Sequence, residues 1–146
     1  EEDVKRNWEQ LKLKEGKKSV LEGVPKSLPA VVKASRIQEK VAGVGFDWEN
    51  SNQVWEKVQE ELEEFKIELD ASNKVSMEKE FGDVLFSLIN YARSIGINPE
   101  NALELTNKKF IRRFQFLEDK AKEMKRSLND MTLNEMDVFW EEAKGI

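Results

Sequence analysis

Four carboxylates stand in two pairs of equal spacing. Glu61 and Glu64 fall within "EELEEF", residues 60–65, and Glu80 and Asp83 form "EFGD", residues 80–83. A helix turns about 100° per residue, so an i, i+3 pair shares one flank. Asp83 is the costly member. It stands near the start of an apolar run that includes Phe81, Val84, Leu85, Leu88 and Ile95 and reads as a buried helix. A carboxylate there must be compensated.

Clustered carboxylates repel and raise one another's pKa, and a divalent cation reverses that penalty. The chain has no cysteine and no histidine. Disulfides, thiolate nucleophiles, Cys/His zinc sites and histidine-dependent triads are therefore excluded. The iron chemistry of ferritin-like bundles also lacks its Glu-x-x-His ligand. A carboxylate-only set suits a hard, oxygen-seeking ion. The expectation is Mg²⁺, with Mn²⁺ as a substitute, held by Glu61, Glu64, Glu80 and Asp83. Two plainer readings compete. "EELEE" alone is ordinarily a solvated helix face, and Asp83 could be half of a buried ion pair.

A basic stretch supplies complementary chemistry. In "NKKFIRRF", residues 107–114, Lys109 and Arg113 are four apart and share a flank beside Phe110 and Phe114. Such a pair suits phosphate oxygens, although snorkelling or surface ion pairing would explain it alone. Acids for a metal and bases for phosphate together describe a polyphosphate site.

The elements that must position these groups are helical. Val4, Trp8 and Leu11, extended to Glu15, have helical spacing, and Ala30 to Ala42 forms a short helix after the Pro25–Pro29 loop. Asn52 to Leu69 is a strong helix with Val58, Leu62, Phe65 and Leu69 as its buried face. The acidic helix begins at a Ser76 cap and ends at Gly96. Asn98-Pro99 starts a long helix to about Ser127, with Leu103, Phe110, Phe114, Leu117 and Ala121 in line. Thr132-x-x-Glu135 is a capping box for a last helix to about Lys144, with Met131 and Met136 as its staple. The short connection between the two acidic helices makes them antiparallel neighbours. The fold class is all-α, a four-helix-bundle core with additional N- and C-terminal helices.

The 146 residues suit one domain with a real core. They open on Glu1 rather than Met, which fits a piece of a longer, two-domain protein. The net charge of −5 disfavours a nucleic-acid polymer as partner. No apolar run approaches the ~20 residues of a membrane span. With cysteine absent, a cytoplasmic location is expected.

The acidic motifs resemble the EExxE…ExxD signature of all-α nucleoside triphosphate pyrophosphohydrolases. "KSLPAVVKASRIQEKVAGVGFDW", "EFGDVLFSLINYARSIGINPENAL" and "NKKFIRRF" resemble more closely the C-terminal catalytic domain of MazG proteins. The resemblance covers nearly the whole chain. It implies Mg²⁺-dependent hydrolysis of NTPs and dNTPs to the monophosphate and pyrophosphate by a helical homodimer. It implies Glu61, Glu64, Glu80 and Asp83 as ligands and Lys109 and Arg113 as phosphate contacts. It adds Lys57 and Lys12 as further bases and Trp140 at the nucleotide's border, where simple helix packing explains Trp140 equally well. Phe46 and Trp48 are expected to be packing residues. The loop between the acidic motifs is short, and Ser76 stands where relatives can have lysine, with Lys74 nearby. Narrower relatives, acting on dUTP, dCTP or phosphoribosyl-ATP, are the enzymic alternative. A non-catalytic nucleotide-binding or interaction domain is the alternative of another class.

Overall fold

The computed structural model describes residues 2–14, 16 and 18–146, and for residues 2, 9 and 12–14 the backbone alone. The expectation for Glu15 lies outside the described residues. The elements are α1 (Glu2–Lys14), α2 (Ala30–Gly43), α3 (Ser51–Asp70), α4 (Lys74–Ser94), α5 (Pro99–Glu123), a 3-10 turn (Leu128–Asp130) and α6 (Leu133–Ala143). The fold class is all-α, and no strand occurs among the described residues. No helix there is long and apolar enough to cross a membrane. The chain divides into two compact units, residues 1–100 and residues 101–146.

In the first unit α1 packs on α2, α2 on α4, and α4 along α3, consistent with a helical-bundle core. The α3–α4 pair is antiparallel: Trp55 meets Tyr91 with ring centroids 5.1 Å apart, and Phe65 meets Phe81 edge-on at 5.4 Å. Both helices start on asparagine. Asn50 accepts a hydrogen bond from the Gln53 N–H, and Asn73 accepts one from the Ser76 N–H. Thus α4 begins before Ser76. Ser76 supplies the capped N–H instead of the cap. The α2 and α4 ends are left-handed at Gly45 (φ 93°) and Gly96 (φ 76°). At each, the next residue's N–H reaches back to the helix, Phe46 to Val41 O at 2.9 Å and Ile97 to Ala92 O at 2.8 Å.

Two faces differ from the periodicity reading. The buried stripe of α3 is Val54, Val58 and Glu61, while Leu62 and Leu69 are exposed. Helix α4 buries only Val84, Ser87 and Ile89, and Phe81, Leu85, Phe86, Leu88 and Ile95 are 41–50% exposed. Its apolar run is therefore not the mark of a helix buried all round.

In the second unit, α5 buries Leu117 and Ala121, whereas Leu103 and Phe110 are exposed. The helix ends at Glu123, short of Ser127, because Lys125 turns left-handed (φ 52°). There the Arg126 N–H bonds Ala121 O and the Lys125 N–H bonds Lys122 O. Arg126 then ion-pairs with Glu135, whose carboxylate also takes the Thr132 N–H and completes the expected capping box of α6. The Arg126 guanidinium holds the Glu135 carboxyl below the usual carboxylate range.

Candidate functional site

Antiparallel packing carries Glu61 and Glu64 of α3 against Glu80 of α4. One carboxylate oxygen from each of the three lies within 4.8 Å of the others. Glu61 is 6% exposed, and Glu64 and Glu80 are half-buried. Glu61 divides its oxygens. Its Oε1 accepts from Lys57 Nζ at 2.9 Å, one helical turn earlier. Its Oε2 is buried with no hydrogen-bond partner among the described residues, as is Glu80 Oε2. Buried carboxylate oxygens are ordinarily bonded, so two orphans in one cluster need a cause.

The electrostatics agree with the geometry. Repulsion from Glu61, with lesser contributions from desolvation, Glu80 and Glu60, raises the Glu64 pKa against the opposing pull of Lys57. Lys57 also bonds Glu60 at 3.2 Å, and its own pKa is raised, first by the Glu61 hydrogen bond. Lys57 thus neutralises one side of the cluster and leaves the other uncompensated. Three carboxylates with two free buried oxygens fit a hard divalent cation.

Asp83 differs from its expected place. It is exposed and stands outside the group of three, because the buried face of α4 begins at Val84, about 100° further round the helix. Its exposure removes the need for a buried partner. It lines a cavity of about 570 Å³ together with Glu61 and Lys57, so it remains at the edge of the same site.

The remaining candidates are placed as follows. Lys109, Arg113 and Trp140 belong to the second unit. There Trp140 packs on Phe110 at 4.9 Å, and Phe110 stacks with Phe114 at 6.3 Å. This gives Trp140 the packing contact that was its plainer reading. Arg113 Nε is buried without a hydrogen-bond partner among the described residues, and Lys109 is exposed. The Lys12 side chain lies outside the described residues. The cavity is also lined by Gln38, Phe46, Trp48, Asn90 and Arg93, to which the sequence assigned no role in the site. Phe46 and Trp48 are 79% and 46% exposed, so they are not core packing residues. The available signal was two large aromatics in a glycine-led loop, "GFDW".

Residues 49–116, which contain both acidic motifs and "NKKFIRRF", match the MazG nucleotide pyrophosphohydrolase domain. The chain is 38% identical over 143 residues to the nucleoside triphosphate pyrophosphohydrolase/pyrophosphatase MazG of Thermotoga maritima, a match covering 96% of this chain and 55% of that protein. It is 36% identical over 148 residues to the nucleoside triphosphate pyrophosphohydrolase of Escherichia coli K12, covering 97% and 56%. It is 49% identical over 148 residues to the protein YabN of Bacillus subtilis, covering 99% of this chain and 30% of that protein. The chain spans about half the length of the first two relatives. Residues 49–116 thus carry a MazG nucleotide pyrophosphohydrolase domain, and nearly the whole chain is similar to about half of two nucleoside triphosphate pyrophosphohydrolases.

Proposed function

We propose that the chain hydrolyses nucleoside triphosphates to the monophosphate and pyrophosphate in the presence of Mg²⁺, with residues 1–146 serving as one catalytic domain in the cytoplasm. The observation that carries this is the α3–α4 carboxylate cluster, with its two free buried oxygens and Lys57 lining the adjoining cavity. Glu61, Glu64 and Glu80 would hold the metal, with Asp83 at the rim. The bound ion would activate water, orient the triphosphate and neutralise developing charge.

The chain's own groups would do the rest. Water attacks the α-phosphorus, the new P–O bond replaces the α–β bridge, and pyrophosphate leaves. The water's proton goes to a carboxylate of the first motif, Glu60 or Glu61. Lys57, already aimed at the cluster, contacts phosphate once it exchanges partners. Lys109 and Arg113 remain the proposed phosphate contacts, as the resemblance implies. Phosphorus NMR of a nucleotide panel tests the proposal. Monophosphate and pyrophosphate are expected with Mg²⁺ and not with chelator. Diphosphate and phosphate, or no turnover with any nucleotide, would contradict it.

Arg113→Ala is expected to raise KM for triphosphates by about 10–100-fold, the size of a lost charge-assisted phosphate contact. Its melting temperature should change little. Unchanged kinetic constants across the panel would return Arg113 to a structural ion-pairing role.

A homodimer belongs to the same proposal. Phe81, Leu85 and Leu88 on α4, and Leu103, Leu105, Phe110 and Ile111 on α5, are each 41–69% exposed. So much apolar surface is unfavourable on an isolated chain, and a second copy would cover it. Light scattering at micromolar concentration should give twice the 17.0 kDa chain mass. A monomer would contradict this.

A further inference from the structure

We propose that Lys57 is a displaceable internal counter-ion. Its ammonium stands on the carboxylate cluster of the metal-free protein, competes there with a divalent cation, and passes to phosphate when a triphosphate binds. This rests on the reading above for the cation and the triphosphate. What it adds is that the two are coupled through one side chain.

Three observations carry it. First, the ammonium serves only part of the cluster. Lys57 Nζ bonds Glu61 Oε1 at 2.9 Å and Glu60 Oε2 at 3.2 Å. Glu61 Oε2 and Glu80 Oε2 remain buried with no hydrogen-bond partner among the described residues. Yet Glu61, Glu64 and Glu80 each bring an oxygen within 4.8 Å of the others. One positive charge facing three carboxylates makes the cluster tolerable without completing it.

Second, Lys57 and a cation in the cluster oppose each other. A cation held by Glu61, Glu64 and Glu80 would share the Glu61 carboxylate with Lys57. Like charges on one carboxylate repel, and the repulsion doubles for a divalent ion. Coupling of this kind is reciprocal. The cluster binds the cation more weakly by the amount that the cation loosens Lys57.

Third, the ammonium is able to leave. It is held by two carboxylates of its own helix, three and four residues on. An i, i+4 pair with lysine before glutamate is the weaker order on a helix. The Lys57 side chain is 35% exposed and that of Glu61 8%, so the lysine can swing out and the glutamate cannot. Lys57 also lines the cavity that Glu61 and Asp83 line. An anion entering there meets a compact charge on a flexible four-carbon stem. Once phosphate takes the ammonium, the competitor is gone and the cation binds more tightly. Substrate thereby strengthens cation binding beyond what direct contact between phosphate and metal supplies.

The two roles of Lys57 have opposite signs, and that is the test. Mn²⁺ is titrated calorimetrically into nucleotide-free wild type, Lys57→Met, Lys57→Arg and Lys66→Met. Binding of α,β-methylene-ATP, which has no cleavable α–β bridge oxygen, is then measured at saturating Mn²⁺. Thermal melts in chelator report folding. Lys57→Met keeps the length of the side chain and removes its charge. It is expected to bind Mn²⁺ on the order of tenfold more tightly, an ordinary size for coupling between two sites. It should bind the ATP analogue about tenfold more weakly, through loss of a charge-assisted contact. In chelator it should melt below wild type, since the cluster loses its counter-ion. Lys57→Arg keeps the charge and should stay within about threefold of wild type for Mn²⁺. Lys66 is an exposed lysine of α3 about 140° round the helix from Glu61. Lys66→Met reports the general effect of removing a positive charge, and it should change Mn²⁺ affinity by less than about twofold.

A lysine that only contacted phosphate would weaken the analogue and leave Mn²⁺ affinity unchanged. A merely structural lysine would weaken both. Either result, or equal tightening by Lys66→Met, would overturn the proposal. Tighter Mn²⁺ with unchanged analogue affinity would overturn the transfer to phosphate. If wild type and Lys57→Met bind Mn²⁺ saturably and equally, the counter-ion falls and the cation site stands. If neither binds it, both fall. If the two opposite shifts appear and ATP yields no pyrophosphate, the hydrolysis reading falls and the counter-ion stands.

Discussion

Glu61→Gln is expected to lower triphosphate hydrolysis by about 10²–10³-fold or more, the cost of losing one electrostatic contact that acts on a transition state. The substitution keeps the side chain's volume and removes its charge. Glu61 is the buried member of the cluster and the one whose oxygens are divided between Lys57 and an empty direction. Removing that charge would loosen a bound cation and release Lys57 together. The fold should survive, because Lys57 retains Glu60 at 3.2 Å and the α3–α4 ring contacts lie elsewhere. Circular dichroism should show unchanged helix content. Wild-type turnover by the purified variant would remove Glu61 from the chemistry.

The second large effect is on stability. Metal-free protein holds carboxylates together against their repulsion, and a bound Mg²⁺ would relieve it. At a concentration 100 times its dissociation constant, a ligand of the folded state adds about 2.7 kcal/mol. For a chain of this size, that corresponds to roughly 2–4 °C of melting temperature per kcal/mol. Wild type should therefore melt several degrees higher with Mg²⁺ than with chelator. Glu64→Gln should behave oppositely. In chelator at neutral pH it should melt above wild type, because it removes the charge whose pKa Glu61 raises. It should gain less from Mg²⁺.

The pH dependence follows from the same shift. A carboxyl whose folded pKa lies above its unfolded value contributes stability that is fully present below the unfolded pKa. That contribution is lost as pH rises through the folded pKa. In chelator, the gap between Glu64→Gln and wild type should accordingly close as pH falls from neutrality through the raised Glu64 pKa toward the ordinary 4.5. Comparing the two proteins at each pH isolates Glu64 from groups such as Glu135, whose pKa moves downward. A gap that is absent, or that widens on acidification, would show that the cluster stores no repulsion.

Much of this site was legible in the sequence because it rests on local rules. The i, i+3 acidic pairs, the Pro99 helix start, the Gly96 end and the Thr132–Glu135 box all stand within one turn of their partners. The errors occur where two local rules tie and packing chooses. On α3, stripes through Leu62 or through Glu61 share Val58, and packing along α4 selects the one that buries the acid. Asn73 and Ser76 both have capping side chains three residues apart, and the structure uses one as acceptor and the other as donor. Asp83 was read as buried because apolar content alone does not say which flank of a helix a neighbour will cover. The Asp47–Arg93 ion pair spans 46 residues, and no periodicity reports such a pair. Lys125 takes a left-handed turn without being glycine, so the end of α5 carried no sequence signal.

The hydrolysis reading depends on a divalent cation held by these carboxylates. Titration of Mn²⁺ into the metal-free protein, followed by the electron paramagnetic resonance signal of free Mn²⁺, tests it most directly. Wild type should deplete that signal in a saturable manner, and Mg²⁺ should restore it by competition. Glu61→Gln and Glu80→Gln should each weaken binding at least about tenfold. Unchanged Mn²⁺ affinity in both folded variants, or no saturable binding by wild type, would contradict a cation site at these carboxylates.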